Sequence, residues 1–220
     1  MKPPNKIEVI LATYLALWLM LITTVTAASP PPNTSRFIDV PENQWFAEAV
    51  NKMAELGFIN GRALEGNVFE FLPASPITRR EFMAIIARMS GDEIEKNVQS
   101  TGFPDVPPNA WYAGYIAWGR ARGIVQGYDD GGFHPANFIT REEVAVVISR
   151  YAAYQSIELP IKNTADFHDE STIQPWSHPA VKQMQSAGIV QGSDEGKFHP
   201  QMPTRRSEAV QMLYNLWQLT

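Results

Sequence analysis

The chain has 220 residues, a formal net charge of -5 and no cysteine. Without cysteine it has no disulfide framework, thiolate metal site or thiol nucleophile. The negative balance argues against a sequence-independent grip on nucleic-acid phosphates, so an anionic partner would have to be held by local arginines.

The chain begins with Lys2 and Lys6, an apolar run from Val9 to Val25, and small residues in TVTAAS (24–29). That order marks residues 1–28 as a signal peptide or membrane anchor, with cleavage after Ala28 favoured over retention. Residues 29–35, rich in proline, form a stiff extended spacer.

One pattern then recurs three times, over 36–90, 102–154 and 166–218. Its tryptophans, Trp45, Trp111 and Trp176, lie 66 and 65 residues apart. Each is followed by a first glycine (Gly57, Gly123, Gly188) and a second (Gly61, Gly127, Gly192) at fixed spacing. Phe71, Phe133 and Phe198 precede Glu81, Glu143 and Glu208 by the same interval. Such repetition signals an array of supersecondary units that bury a core jointly, because each is too small to do so alone.

In the first unit the spacing of Phe46, Ala49, Val50 and Met53 predicts a helix from Trp45 to Leu56. Gly57 closes it as a left-handed cap. A second helix follows over 79–89, apolar at Phe82, Ile85, Ile86 and Met89. The later units predict helices near 110–122, 141–154, 177–187 and 206–218. The loop of the first unit, around ALEGNVFE (63–70), is four residues longer than its counterparts. No strand pattern competes, and the expected class is all-α.

Thr78 with Glu81, and Thr140 with Glu143, have the spacing of capping boxes. That accounts for the threonines and glutamates but not for Arg79 and Arg141, because a cation at the first helical position opposes the helix dipole. A repeated first-turn arginine beside free backbone N–H groups suits a bound carboxylate or phosphate. A structural salt bridge is the alternative. Asp39, Asp105 and Asp169 are open to three readings: partners of those arginines, turn residues, or acceptors from sugar hydroxyls.

Trp45, Trp111 and Trp176 read equally as core anchors or as stacking platforms for a sugar ring. Gly61, Gly127 and Gly192 allow either a turn or close approach of a ligand to backbone. The third unit departs from the pattern, with Arg206 at the key position and Arg205 where a threonine belongs. Its capping box is lost or shifted to Thr204. In the first unit Arg80 adds a cation that either assists or blocks its groove. The four histidines lack metal-ligand spacing, and Glu81, Glu143 and Glu208 are committed to capping. No catalytic residue, metal or cofactor is expected.

The motifs resemble those of the S-layer homology domain family in its usual set of three. The second unit carries them most fully: Phe103-x-Asp105-Val106, Trp111, Gly123-Ile124-x-x-Gly127, Gly132-Phe133-x-Pro135 and Thr140-Arg141-Glu142-Glu143. The resemblance implies a pseudo-threefold trimer of units around a central three-helix bundle within one monomer. It also implies that Arg79, Arg141 and Arg206, with the tryptophans, aspartates and second glycines, lie in grooves between units. Such grooves hold a peptidoglycan-linked polysaccharide, often pyruvylated, without covalent chemistry. The alternative partner is another envelope protein, with the chain tethering membrane to wall.

Overall fold

The computed structural model describes residues 36–162 and 165–220. The targeting segment and the spacer lie outside the described residues. Six α-helices occur among the described residues: α1 (Ala47–Glu55), α2 (Arg79–Met89), α3 (Ala113–Ala121), α4 (Arg141–Tyr154), α5 (His178–Ser186) and α6 (Arg206–Trp217). Each unit supplies one first helix and one second helix, so the all-α architecture forms as expected. The first helices end on Gly57, Gly123 and Gly188, at φ +76°, +69° and +75°. A left-handed residue after the last turn lets its N–H satisfy a helix-end carbonyl, which glycine does without a Cβ penalty.

One element escaped the periodicity. Strands β1 (Arg62–Ala63) and β2 (Phe69–Glu70) pair antiparallel in the long loop of the first unit. Two residues on each side are too few to show as an alternating pattern.

The two helices of one unit are not each other's principal partner. Instead α3 packs on α2, α5 on α4, and α1 on α6. Each first helix thus lies on the second helix of the preceding unit, and the third unit closes the ring onto the first. Tyr214 on α6 donates to Glu48 Oε1 on α1 at 2.7 Å, fixing that closure. Splitting the apolar partners between units explains why three are needed: a lone unit would expose both helix faces.

The ring has a hydrogen-bonded hub. Ile77 N–H donates to Thr204 O at 2.9 Å, Thr204 N–H to Ile139 O at 2.9 Å, and Ile139 N–H to Ile77 O at 3.1 Å. The three second helices begin just beyond it. Ile77 and Ile139 are fully buried there, and so is Thr204, whose hydroxyl has no hydrogen-bond partner among the described residues. Burying an unpaired hydroxyl costs on the order of 1–3 kcal/mol. Thr204→Val keeps the shape and removes the hydroxyl, so it should stabilise the fold by about 1 kcal/mol or more. Thermal melts of the two proteins check this; an unchanged or lower Tm would show that the hydroxyl is satisfied.

Within each unit the start of the repeat is clamped to its Phe-x-Pro turn. Phe37 meets Phe71, Phe103 meets Phe133, and Phe167 meets Phe198, with ring centroids 5.6, 5.4 and 5.1 Å apart. The residue after the second phenylalanine is left-handed in all three units: Leu72 at φ +61°, His134 at +54° and His199 at +57°. A non-glycine residue there is strained by about 1–3 kcal/mol unless its surroundings hold it.

The aspartates do the holding. Asp39 accepts from Phe71 and Leu72 N–H, both at 2.7 Å. Asp105 accepts from Phe133 and His134 at 2.8 and 2.6 Å, and Asp169 from Phe198 and His199 at 2.7 and 2.8 Å. The linker after the first unit is pinned by Asp92. Its Oδ2 accepts from Trp118 Nε1 at 2.8 Å and from Tyr154 Oη at 2.7 Å, and pairs with Arg122 at 2.8 Å.

Candidate functional site

The phenylalanine turns lead directly to the arginines. Once an aspartate has fixed a turn, the phenylalanine carbonyl points at the arginine of the preceding unit. Arg79 Nε donates to Phe133 O at 2.9 Å, Arg141 Nε to Phe198 O at 2.7 Å, and Arg206 Nε to Phe71 O at 2.8 Å. Each guanidinium also meets the capping glutamate of that same neighbouring unit. Arg79 pairs with Glu143 at 3.0 Å, Arg141 with Glu208 at 3.2 Å, and Arg206 with Glu81 at 3.2 Å. Every unit gives an arginine to the next and receives one from the last.

The glutamates keep their capping role while doing this. The other carboxylate oxygen accepts from the N-cap backbone: Glu81 from Thr78 at 2.9 Å and Glu143 from Thr140 at 2.8 Å. In the third unit Glu208 accepts from Arg205 N–H at 2.9 Å. An arginine side chain carries no acceptor, so only this half of the capping box survives there.

One expectation about these helix starts needs correction, and one question left open for the aspartates is decided. The backbone N–H groups are not free: Arg79 and Arg80 donate to Asn137 and Pro135 carbonyls, Arg141 and Glu142 to Met202 and Pro200, and Arg206 and Ser207 to Ser75 and Pro73. A neighbouring loop occupies the place proposed for an anion. The aspartates form no ion pair with these arginines among the described residues; their oxygens face the backbone of the turns. Sequence spacing could not show the first point, because the accepting carbonyls come from another unit, whereas each aspartate bonds the turn of its own unit.

Arg79 and Arg141 are each 7 % exposed. Burial pulls the Arg141 guanidinium below its ordinary range, with the charges of Glu208 and Asp169 opposing that shift. Arg206 behaves likewise, opposed by Glu81 and Asp39. Yet each guanidinium has five N–H groups, and among the described residues Arg141 donates to three partners: Phe198 O, Glu208 and Gln191 O. Donors remain for a ligand.

The tryptophans are not core anchors. Trp45, Trp111 and Trp176 are 62 %, 58 % and 57 % exposed. Each lines a groove with an arginine from the following unit and the loop of the third. Trp45 shares a groove of about 500 Å³ with Arg141, Gly192 and Glu208. Trp176 shares one of about 380 Å³ with Arg79, Gly127 and Glu143. Trp111 shares one of about 150 Å³ with Arg206, Asn60 and Glu81. The tryptophans and arginines therefore come together, in sets drawn from all three units, while Asp39, Asp105, Asp169 and Gly61 do not line these grooves.

The second glycines have a steric reason. A Cβ on Gly61 would lie 2.4 Å from the Phe37 ring, and one on Gly127 would lie 2.5 Å from Phe103. Gly192 is less crowded, at 3.1 Å from Phe167. Packing inside the unit is what excludes a side chain at the first two positions.

Tyr128, beside Gly127, drew no attention in the sequence. Its ring lies 4.4 Å from the Arg79 guanidinium, and its hydroxyl donates to Glu143 Oε1. Burial first, and then that acceptor, push its phenol well above the ordinary value. Arg80, the extra cation of the first unit, lies over the Tyr112 ring at 5.5 Å. The histidines bond locally: His134 with Asp130 and His178 with Glu170, both at 2.8 Å. No cluster of metal-ligating side chains occurs among the described residues.

Helical hairpins closed into a ring by reciprocal Arg–Glu pairs, with a tryptophan-lined groove at each junction, define a three-unit helical repeat domain. The chain belongs to the S-layer homology domain family, which matches residues 36–83, 102–145 and 166–210. It is similar to the surface-layer 125 kDa protein of Lysinibacillus sphaericus, at 31 % identity over 73 % of this chain and 13 % of that protein. It is also similar to S-layer protein EA1 of Bacillus anthracis, at 29 % identity over 53 % of this chain and 13 % of that protein. Exoglucanase XynX of Acetivibrio thermocellus is 27 % identical over 82 % of this chain and 16 % of its own length. The chain spans between 6 % and 22 % of the length of such relatives.

Proposed function

We propose that this chain is a non-catalytic anchor at the bacterial cell surface, binding a peptidoglycan-linked acidic polysaccharide in its inter-unit grooves. The observation that carries this reading is the repeated placing of a mostly exposed tryptophan across a groove from a buried inter-unit arginine. An exposed indole offers an apolar face to a sugar ring and a donor at its edge. The remaining guanidinium N–H groups suit a carboxylate, such as a pyruvate ketal on the glycan. The aspartates and glutamates act at one remove, fixing the turn and holding the guanidinium in place. Likeness to surface-layer proteins supports a location at the cell envelope, and likeness to an exoglucanase does not supply catalysis here. Glu81, Glu143 and Glu208 are each bound to an arginine and a helix N-terminus, whereas a glycosidase needs two carboxyls facing one bond.

Cosedimentation of the full chain with purified sacculi, before and after acid extraction of their attached polymers, tests the reading. Binding should depend on the polymer, and Trp45→Ala should weaken it by about tenfold. Equal retention by extracted sacculi would transfer the target to bare peptidoglycan. No retention by either preparation would favour another envelope protein as partner.

A further inference from the structure

The three grooves share a frame but not a filling. The residue after the second glycine differs in each: Arg62, Tyr128 and Ser193. In the groove of Trp176, Tyr128 covers one face of the Arg79 guanidinium at 4.4 Å, while the Phe133 ring lies 4.7 Å from the same group. The phenol hydroxyl donates to Glu143 Oε1, the oxygen that also holds Arg79. An aromatic ring and a hydroxyl from the chain itself thus occupy the place of a sugar ring and its hydroxyl beside the arginine.

In the groove of Trp111 the obstruction is Arg88, and Arg62 does not line it. Arg62 is tied to Glu70 across the β1–β2 pair. Arg88 spans the groove's edge, donating to Phe58 O at 3.3 Å and lying over the Tyr115 ring at 5.2 Å. What remains is about 150 Å³, below the roughly 300–1,000 Å³ usual for a small-ligand site.

The groove of Trp45 has neither obstruction. Small Ser193 stands where Tyr128 would be, and Asn215 stands where Arg88 and Arg150 stand in the other units. Arg141 lies 5.2 Å from the Phe198 ring, and no other ring contact to its guanidinium occurs among the described residues. Lys197 lines the same groove, and among the described residues its ammonium pairs with the exposed Glu195. About 500 Å³ remains open.

We infer that the groove formed by Trp45, Arg141 and Ser193 is the single ligand-competent one, and that Tyr128 is the internal occupant of the Trp176 groove. The inference rests on the glycan-binding reading and adds which groove binds and why another does not. The ligand class is a carboxylate-bearing sugar unit: its ring lies on Trp45, and its charge faces Arg141 and Lys197.

The test is calorimetric titration of the full chain with soluble polymer fragments released from sacculi by enzymatic digestion of the peptidoglycan. Wild type should bind one fragment per chain, and Trp45→Ala should lose affinity by about tenfold or more. Tyr128→Ser should retain the first site and gain a second, and adding Trp176→Ala should remove that second site. Thermal melts of each variant confirm that it folds. Two or three sites in wild type, or unchanged affinity in Trp45→Ala, would overturn the assignment while leaving glycan binding intact. A single site in folded Tyr128→Ser would overturn the role of Tyr128. Absence of binding by wild type would instead remove the glycan reading itself, and this inference with it.

Discussion

Arg141→Ala is expected to lower the unfolding free energy by about 3–5 kcal/mol, in addition to weakening polymer binding. The guanidinium is 7 % exposed and joins three segments of the next unit: Phe198 O, Gln191 O and Glu208. Removing it orphans a capping carboxylate and two carbonyls at the junction of the second and third units. The loss is a structural cost that a purely ligand-binding arginine would not incur. A double-mutant cycle with Glu208→Gln should recover part of it, because the two side chains interact directly. Urea unfolding of the four proteins measures the coupling. A loss within about 0.5 kcal/mol, as for an ordinary surface substitution, would show that the pair contributes nothing to ring closure. Helix propensity is not the cause, since alanine is the better helix former at that position.

Asp105→Asn and Asp169→Asn should each cost about 2–3 kcal/mol at neutral pH and flatten the acid limb of stability. Burial works to raise both carboxyls, but N–H donors from Phe133 and His134, and from Phe198 and His199, outweigh it and hold them below 3.8. A depressed folded value means that the stabilisation is fully present above the unfolded value. It is lost as pH falls through the folded one. Wild type should therefore weaken below about pH 4, as these turns lose their acceptors. Asparagine turns an amide donor toward one of two N–H donors, so the left-handed residue behind it is no longer held. Urea melts between pH 7 and pH 3 give the slope for each protein; an Asn variant with the wild-type slope would clear that carboxylate of any part in acid unfolding.

Much of the fold was legible because repetition multiplies weak signals. The helix of 79–89 was read with its bounds, since apolar spacing, a capping box and an arginine start all agreed there. First helices start one to three residues later than periodicity suggested, because the tryptophans belong to the preceding turn rather than the buried face. The β1–β2 pair was hidden by its brevity. The tryptophans and arginines that meet in the grooves were named from the sequence, but their grouping was not. Trp111 faces Arg206 of the next unit, and Arg141 faces Trp45 of the preceding one.

Local chemistry alone determined that this chain is three helical hairpins with glycine-closed first helices and capped second helices, since turns and caps are satisfied within a few residues. Ring closure decided everything that depends on distant partners: which glutamate holds which arginine, which loop carbonyls occupy the helix starts, and whether a tryptophan is buried. The physical reason lies in how the units pack. Each second helix takes its principal neighbours from another unit, so every groove is made by three stretches of chain that no sequence interval relates. Tyr128 and Ser193 occupy equivalent places in the repeat. Only the packing around Arg79 and Arg141 gives the first of them a groove to fill and the second a groove to leave open.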